Sequence, residues 1–308
     1  MDQKLNITYI TLDGYVELDK YRFVYFVIMF TAYILIICFN STIVCLIVIH
    51  KNLHEPMYIF IAALLMNSVL YSTAFYPKIL FDVLSEKQII SYSACLFQWF
   101  ITYSLGGSEF LLLAAMSYDR YVSICKPLQY ATIMTKTNIC ILLVVAWILP
   151  AGQFAVPIGL SADTKLCKYY FKGIFCNSTV YKLHCEISAV LNIYGLICLI
   201  NILFLPVLFV LFTYIRIFII TYRSGREVRR KAAQTCLPHL IVLFNFSCLT
   251  TFDVLLLQLE NDFPTIVRLI MTLQVIVYHP LFNPVIYGLK MTEIYKRLNR
   301  LFCPGKRG

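Results

Sequence analysis

The chain has 308 residues, of which 60% are hydrophobic and only 14% charged, and its formal net charge is +10. Its apolar stretches run far longer than the core helix of a water-soluble domain needs, so it is read as an integral membrane protein. The basic excess sits in short segments between those stretches, which makes it a feature of membrane topology and excludes nucleic acid as its cause.

Apolar stretches of spanning length fall at about 22–49, 56–81, 92–124, 138–160, 187–220, 232–257 and 266–289. They lack the period-two alternation of a lipid-facing barrel, so the expected fold is all-α, a seven-transmembrane helix bundle. Segments 50–55, 119–137, 214–231 and 290–308 hold sixteen Lys/Arg against four Asp/Glu, and the rest of the chain holds ten against twelve. Lys and Arg stay on the cytoplasmic side, so the N-terminus is expected outside and the C-terminus inside. The expected organisation is one domain over 1–308, with an outside tail 1–21, a helix bundle 22–289 and a cytoplasmic tail 290–308.

The first twenty residues are too polar for the apolar core of a signal peptide, so span one is expected to direct its own insertion. Asn6-Ile7-Thr8 in this tail and Asn177-Ser178-Thr179 in the loop before span five are glycosylation sequons on the outside face. Four of the twelve cysteines, Cys95, Cys167, Cys176 and Cys185, fall on that same oxidising side. They allow two bridges in any of three pairings.

Span three carries the two most informative polar features. Asp119-Arg120-Tyr121 closes its inner end, and Arg120, which cannot lose its proton, needs a partner there. Glu109 lies roughly 16 Å of helix above Arg120, deep in the bilayer. An ionisable group at that depth must be protonated, paired or holding a cation, and Asn40, Asn67 and Asn283 could supply oxygens around it. One face of the same helix gathers Thr102, Tyr103, Gly106 and Gly107, where the two glycines leave space either for a small molecule or for close helix packing. Pro206, Pro238 and Pro284 interrupt spans five, six and seven and loosen them at those points.

Catalysis finds no support. His50 and His54 have metal-like spacing, but Glu55 follows the pair instead of separating it. There is no phosphate loop, no nucleophile elbow and no intramembrane aspartate pair. No internal repeat supports a transporter, and a channel or carrier would need a continuous polar path where Glu109, Asn67 and Asn283 form only a cluster with apolar residues above it.

Four motifs in order carry a resemblance. They are Leu53-His54-Glu55-Pro56-Met57-Tyr58 entering span two, Met116 to Cys125 ending span three, Lys231-Ala232-Ala233-Gln234-Thr235-Cys236-Leu237-Pro238-His239-Leu240 entering span six, and Pro280-Leu281-Phe282-Asn283-Pro284-Val285-Ile286-Tyr287 in span seven. With them the chain resembles the rhodopsin-like G-protein-coupled receptors and, in detail, their odorant receptor branch. The resemblance implies bridges Cys95–Cys176 and Cys167–Cys185, and a multi-pass receptor in the plasma membrane. It implies that a small, fairly apolar odorant binds among Thr102, Tyr103, Gly106, Gly107, Cys198, Asn201, Thr250, Thr251 and Val254, with Asp253 keeping a cationic ligand open. It further implies a switch in which Asp119 holds Arg120 until a heterotrimeric G protein, of the adenylyl-cyclase-stimulating kind, receives it. Tyr121, Tyr214, His239, Asn283, Pro284 and Tyr287 belong to that switch. A sodium ion held by Glu109 with Asn67 is the one bound ion it suggests; no other cofactor is expected. A non-olfactory chemoreceptor is the alternative within the same family.

The chain departs from the family pattern at two places. Asn67 stands where most relatives carry an acidic residue. Phe246-Ser247-Cys248 lacks the aromatic usually found at its middle position, which leaves the trigger beneath the ligand unidentified.

Overall fold

Among the described residues six helices are long and apolar enough to cross a membrane, Leu18–Ile49, Pro56–Leu84, Tyr92–Cys125, Lys136–Ser161, Ala189–Tyr222 and Thr265–Lys290, and a shorter apolar helix, Cys236–Thr251, makes the seventh. They agree with the seven expected spans to within a few residues. The computed structural model describes residues 8–162, 164–186, 188–222, 225–258 and 264–302. In chain order the elements are β1 (Tyr9–Leu12), α1 (Leu18–Ile49), α2 (Pro56–Thr73), α3 (Tyr76–Leu84), β2 (Ile89–Ser91), α4 (Tyr92–Cys125), α5 (Tyr130–Ile133), α6 (Lys136–Ser161), β3 (Tyr170–Phe171), α7 (Ala189–Leu199), α8 (Leu205–Tyr222), α9 (Arg226–Gln258), α10 (Thr265–Leu273), α11 (His279–Lys290) and α12 (Thr292–Phe302).

Local sequence explains most boundaries. Pro56 opens α2 after extended Glu55, because a proline at the first helical position gives up only an N–H that had no partner. Ser91 and Thr135 cap α4 and α6 by accepting from the backbone N–H groups of Ala94 and Asn138. Span two breaks between α2 and α3, with Pro77 in the first turn of α3. Spans five and seven each contain a π turn, Ile200–Phe204 and Gln274–Tyr278, and each turn ends just ahead of a proline, Pro206 or Pro280. A wide turn accommodates the missing proline N–H without ending the helix.

The outer surface of the bundle is apolar, and its few polar side chains at membrane depth lie within an otherwise apolar core. Val27, Ile148 and Phe212 are exposed, whereas Asn40, Asn67, Glu109 and Asn283 are buried. Lipid is as apolar as a leucine core, so polar groups at membrane depth gather where helices face each other. Helix α4 runs through the middle and packs against α2, α6, α8 and α9.

A small sheet at the disulfide-bearing end was not expected from an all-α reading. Strand β1 lies centrally, antiparallel to β2 and parallel to β3. Ile10 and Leu12 alternate inward and join a cluster with Cys95, Trp99, Phe171 and Cys176. Four residues are too few for their alternation to stand out against a tail of mixed polarity. The loop between α6 and α7, which carries β3, is tied down by Cys95–Cys176 and Cys167–Cys185, with Cα separations of 5.4 and 4.7 Å. At the opposite end the expected tail forms α12, whose Ile294 and Leu298 pack against the bundle.

Candidate ligand cavity and switch

Beneath the tethered loop lies a cavity of about 560 Å³, lined mainly by apolar and aromatic side chains. From α4 come Thr102, Tyr103, Gly106 and Gly107, from span five Cys198 and Ile202, and from α9 Phe246 and Thr250. Its roof is the segment after Cys176. There Tyr103 donates to Ser178 Oγ at 3.2 Å and accepts from the Ser178 backbone N–H, while Gln98 Oε1 accepts from the Cys176 N–H at 3.0 Å. Trp99 stacks on Tyr103 with 5.1 Å between ring centroids. These contacts join roof and wall into one unit. Thr102 Oγ1 is buried in the wall and has no hydrogen-bond partner among the described residues. Nearby, burial holds the His184 imidazole below its ordinary pKa, and its Nε2 lies 2.8 Å from Tyr92 Oη.

Two expected lining residues are elsewhere. Asn201 does not face the cavity, because it lies inside the π turn, where the extra residue per turn advances the register and presents Ile202 instead. Thr251 is exposed on the outer face of α9, about 100° around the helix from Thr250. The side chains of Asp253 and Val254 lie outside the described residues, as does Asn6. The glycine pair divides. A Cβ on Gly106 would meet only Tyr71 at 4.0 Å, but one on Gly107 would fall 2.8 Å from Ile202 and 2.9 Å from Pro150. Gly106 opens volume, and Gly107 permits close packing of α4 against spans four and five.

Asn177, half-buried, is one of the residues lining the cavity. Its Oδ1 accepts from both the backbone N–H and the hydroxyl of Thr179.

At the far end of α4, Asp119 is fully buried and pairs with its neighbour: Arg120 Nε donates to Asp119 Oδ2 at 2.9 Å, and a second guanidinium nitrogen contacts the same oxygen. Tyr130 on α5 donates to Asp119 Oδ1 at 2.8 Å. Sequence reasoning missed Tyr130, which follows Lys126-Pro127 in a loop whose fold brings it back beneath α4. Burial and the adjacent Asp119 carboxylate both push its phenol pKa upward. Tyr121 is half-buried beside this cluster. His239 Nδ1 lies 3.4 Å from Tyr287 Oη, and Tyr214 is buried within electrostatic range of Arg120 and Tyr287. The expected switch residues Tyr214, His239 and Tyr287 therefore share one buried region with Arg120, and Asn283 and Pro284 lie one turn further along α11.

Between cavity and switch sits Glu109. Its Oε1 accepts from Asn283 Nδ2 at 2.7 Å, and Asn283 also donates to Ser68 Oγ. His279 Nε2 lies 2.6 Å from Glu109 Oε2, within ion-pair distance though not in hydrogen-bond geometry. Sequence reasoning missed His279, because nothing in the chain order marks it as facing Glu109. Asn67 takes no part: its amide donates to Leu105 O at 2.9 Å and accepts from Trp147 Nε1 at 3.1 Å. A sodium ion suits this set poorly, since among the described residues a single carboxylate is present and both of its oxygens already face nitrogen.

Phe246 links the levels. It lines the cavity, packs against Phe110 at 4.6 Å, and stacks on His279 at 4.2 Å with 21° between planes. The aromatic missing from the middle of Phe246-Ser247-Cys248 is thus supplied one position earlier.

Seven apolar helices with a cavity at one end, an Asp-Arg-Tyr cluster at the other and a buried polar core between define the class: a seven-helix membrane receptor. Squid rhodopsin has the same fold, with a TM-score of 0.74 over 93% of this chain and 86% of that one at 17% identity. The family profile described as "Olfactory receptor" matches residues 29–305. Olfactory receptor 11A1 of Homo sapiens is 33% identical over 96% of this chain and 94% of its own length. Olfactory receptor 4E1 of Homo sapiens is 34% identical over 98% and 95%, and Olfactory receptor 1500 of Rattus norvegicus is 33% identical over 94% and 93%. The chain belongs to the olfactory receptor family. It is an odorant-sensing G-protein-coupled receptor, a multi-pass protein of the plasma membrane, and not an enzyme.

Proposed function

We propose that this receptor binds a small, largely apolar odorant bearing one hydrogen-bonding group, and that binding activates a heterotrimeric G protein of the adenylyl-cyclase-stimulating kind. Thr102, Tyr103, Gly106, Cys198 and Thr250 form the binding wall in this reading, with Thr102 Oγ1 as the polar anchor. The N-terminus lies outside and the C-terminus inside, so the odorant enters from the disulfide-bearing end and the G protein meets Arg120 at the other.

The observation that carries the reading is the position of Phe246, which touches the cavity on one side and His279 on the other. An odorant pressing on Phe246 acts on a side chain already packed against the polar core of α4 and α11. A two-state bundle needs only a ligand that favours one arrangement over the other, and a shared aromatic gives the ligand that leverage. Release of Arg120 from Asp119 then provides the surface for a G-protein helix.

A panel of odorants read out as cyclic AMP in cells expressing the full chain tests this. An agonist whose response is lost in Arg120→Ala at unchanged surface delivery, and weakened in Thr102→Val, is the expected result. Ion currents or substrate flux in cells without G protein would overturn it.

A further inference from the structure

We infer that His279 occupies the place a sodium ion would take beside Glu109, so that this receptor's resting state is independent of sodium.

A carboxylate at bilayer depth needs a counter-charge or hydrogen-bond donors. Glu109 finds one donor, Asn283, and one close imidazole, His279, within its own chain. Each oxygen faces a nitrogen, Oε1 that of Asn283 at 2.7 Å and Oε2 that of His279 at 2.6 Å. The imidazole cannot easily swing aside, because Phe246 lies stacked on it at 4.2 Å. A sodium ion would have to displace His279 from Oε2 and then recruit further oxygens. Asn67, the residue best placed in sequence to provide them, is bound at both ends by Leu105 and Trp147. Two buried amide oxygens, Asn40 Oδ1 and Asn283 Oδ1, have no donor among the described residues. Both are neutral, and a water satisfies them as well as a cation does. A tethered imidazole also enters without the loss of translational freedom that a free ion suffers, so it competes at a high effective concentration against sodium in solution.

The test uses the full chain in lipid nanodiscs and needs no agonist. Anything that binds the folded state raises its unfolding temperature by mass action. The midpoint of the unmodified receptor should be the same in sodium chloride and in choline chloride at equal ionic strength. His279→Asn keeps a polar group but withdraws the imidazole from Glu109, and its midpoint should rise in sodium by about 2–4 °C, the shift expected when sodium stands at roughly tenfold the Kd of a new site. Adding Glu109→Gln to that variant should abolish the rise. A sodium-dependent midpoint in the unmodified receptor overturns the inference. A His279→Asn receptor that folds and stays indifferent to sodium overturns the role given to His279. If that variant does not fold, His279→Gln serves the same comparison, and the unmodified receptor alone still decides the first question.

Discussion

Asn40 on α1 donates to the carbonyl of Pro280 on α11 at 3.0 Å, and to Ile36 O in its own helix at 2.8 Å. The Pro280 carbonyl is the one that Pro284, four residues on, leaves without its helical donor. In a bilayer no water replaces that donor, so a side chain from another helix supplies it. The proline that loosens span seven is thereby compensated from span one. Asn40→Ala should cost about 1–3 kcal/mol, the penalty for an orphaned buried acceptor, and lower both the unfolding midpoint and surface delivery. Pro284→Ala returns an N–H to the same carbonyl, so Asn40→Ala combined with Pro284→Ala should be less destabilised than the two single changes added together. Strict additivity in nanodisc melts would show that the two sites are not coupled in this way.

The positions of the spans were legible because each is a long apolar run bounded by charge or proline, and seven such runs match the seven apolar helices closely. The strand β1 was not, since four residues of weak alternation acquire their meaning only from the partners β2 and β3. The site was legible where it depends on a local motif, as with Asp119-Arg120-Tyr121, or on one helical face, as with Thr102, Tyr103 and Gly106. It was not legible where it depends on register or on facing helices. The π turn replaced Asn201 by Ile202, a change of helical phase with no marker in composition. His279 meets Glu109 across 170 residues of chain, and Tyr130 meets Asp119 through a loop whose path only the folded bundle defines.

Tyr130 makes a prediction about the resting receptor. Its hydroxyl donates to Asp119 Oδ1 at 2.8 Å while Asp119 Oδ2 holds Arg120. A hydrogen bond to a charged group contributes about 1.5–3 kcal/mol. If that interaction belongs to the resting arrangement alone, Tyr130→Phe should shift the equilibrium toward activity and raise agonist-free cyclic AMP by roughly tenfold or more. Arg120→Ala in the same background should return it to baseline. Unchanged basal signalling in Tyr130→Phe at equal surface expression would mean that the contact persists in both states.

Asn177 leads to a prediction about modification. It lines the cavity, with Oδ1 engaged by Thr179, one residue from the Cys95–Cys176 bridge. A glycan attached beside the cavity would compete with ligand for that space. The glycosidase-sensitive mobility of the expressed receptor should therefore survive Asn177→Gln and disappear in Asn6→Gln. A mobility change in Asn177→Gln would show that the loop folds differently in cells.

The two glycines of α4 should separate ligand exclusion from packing. Beside Gly106 the space is open, with Tyr71 4.0 Å from a new Cβ, so Gly106→Leu should fold, reach the surface and take volume from the cavity. Each excluded methylene removes about 0.8 kcal/mol of apolar burial from a ligand that filled the space. A loss of agonist potency of tenfold or more is expected, with smaller odorants least affected. Beside Gly107 the same Cβ would collide with Ile202 and Pro150, one of them a rigid ring, so even Gly107→Ala should force α4 away from spans four and five. Overpacking of that kind costs about 1–3 kcal/mol. Its signature is a lower unfolding midpoint and reduced surface delivery in the absence of any ligand, whereas Gly106→Leu should leave both unchanged. Equal loss of stability in the two variants would place Gly106 in the helix interface as well and remove it from the binding wall.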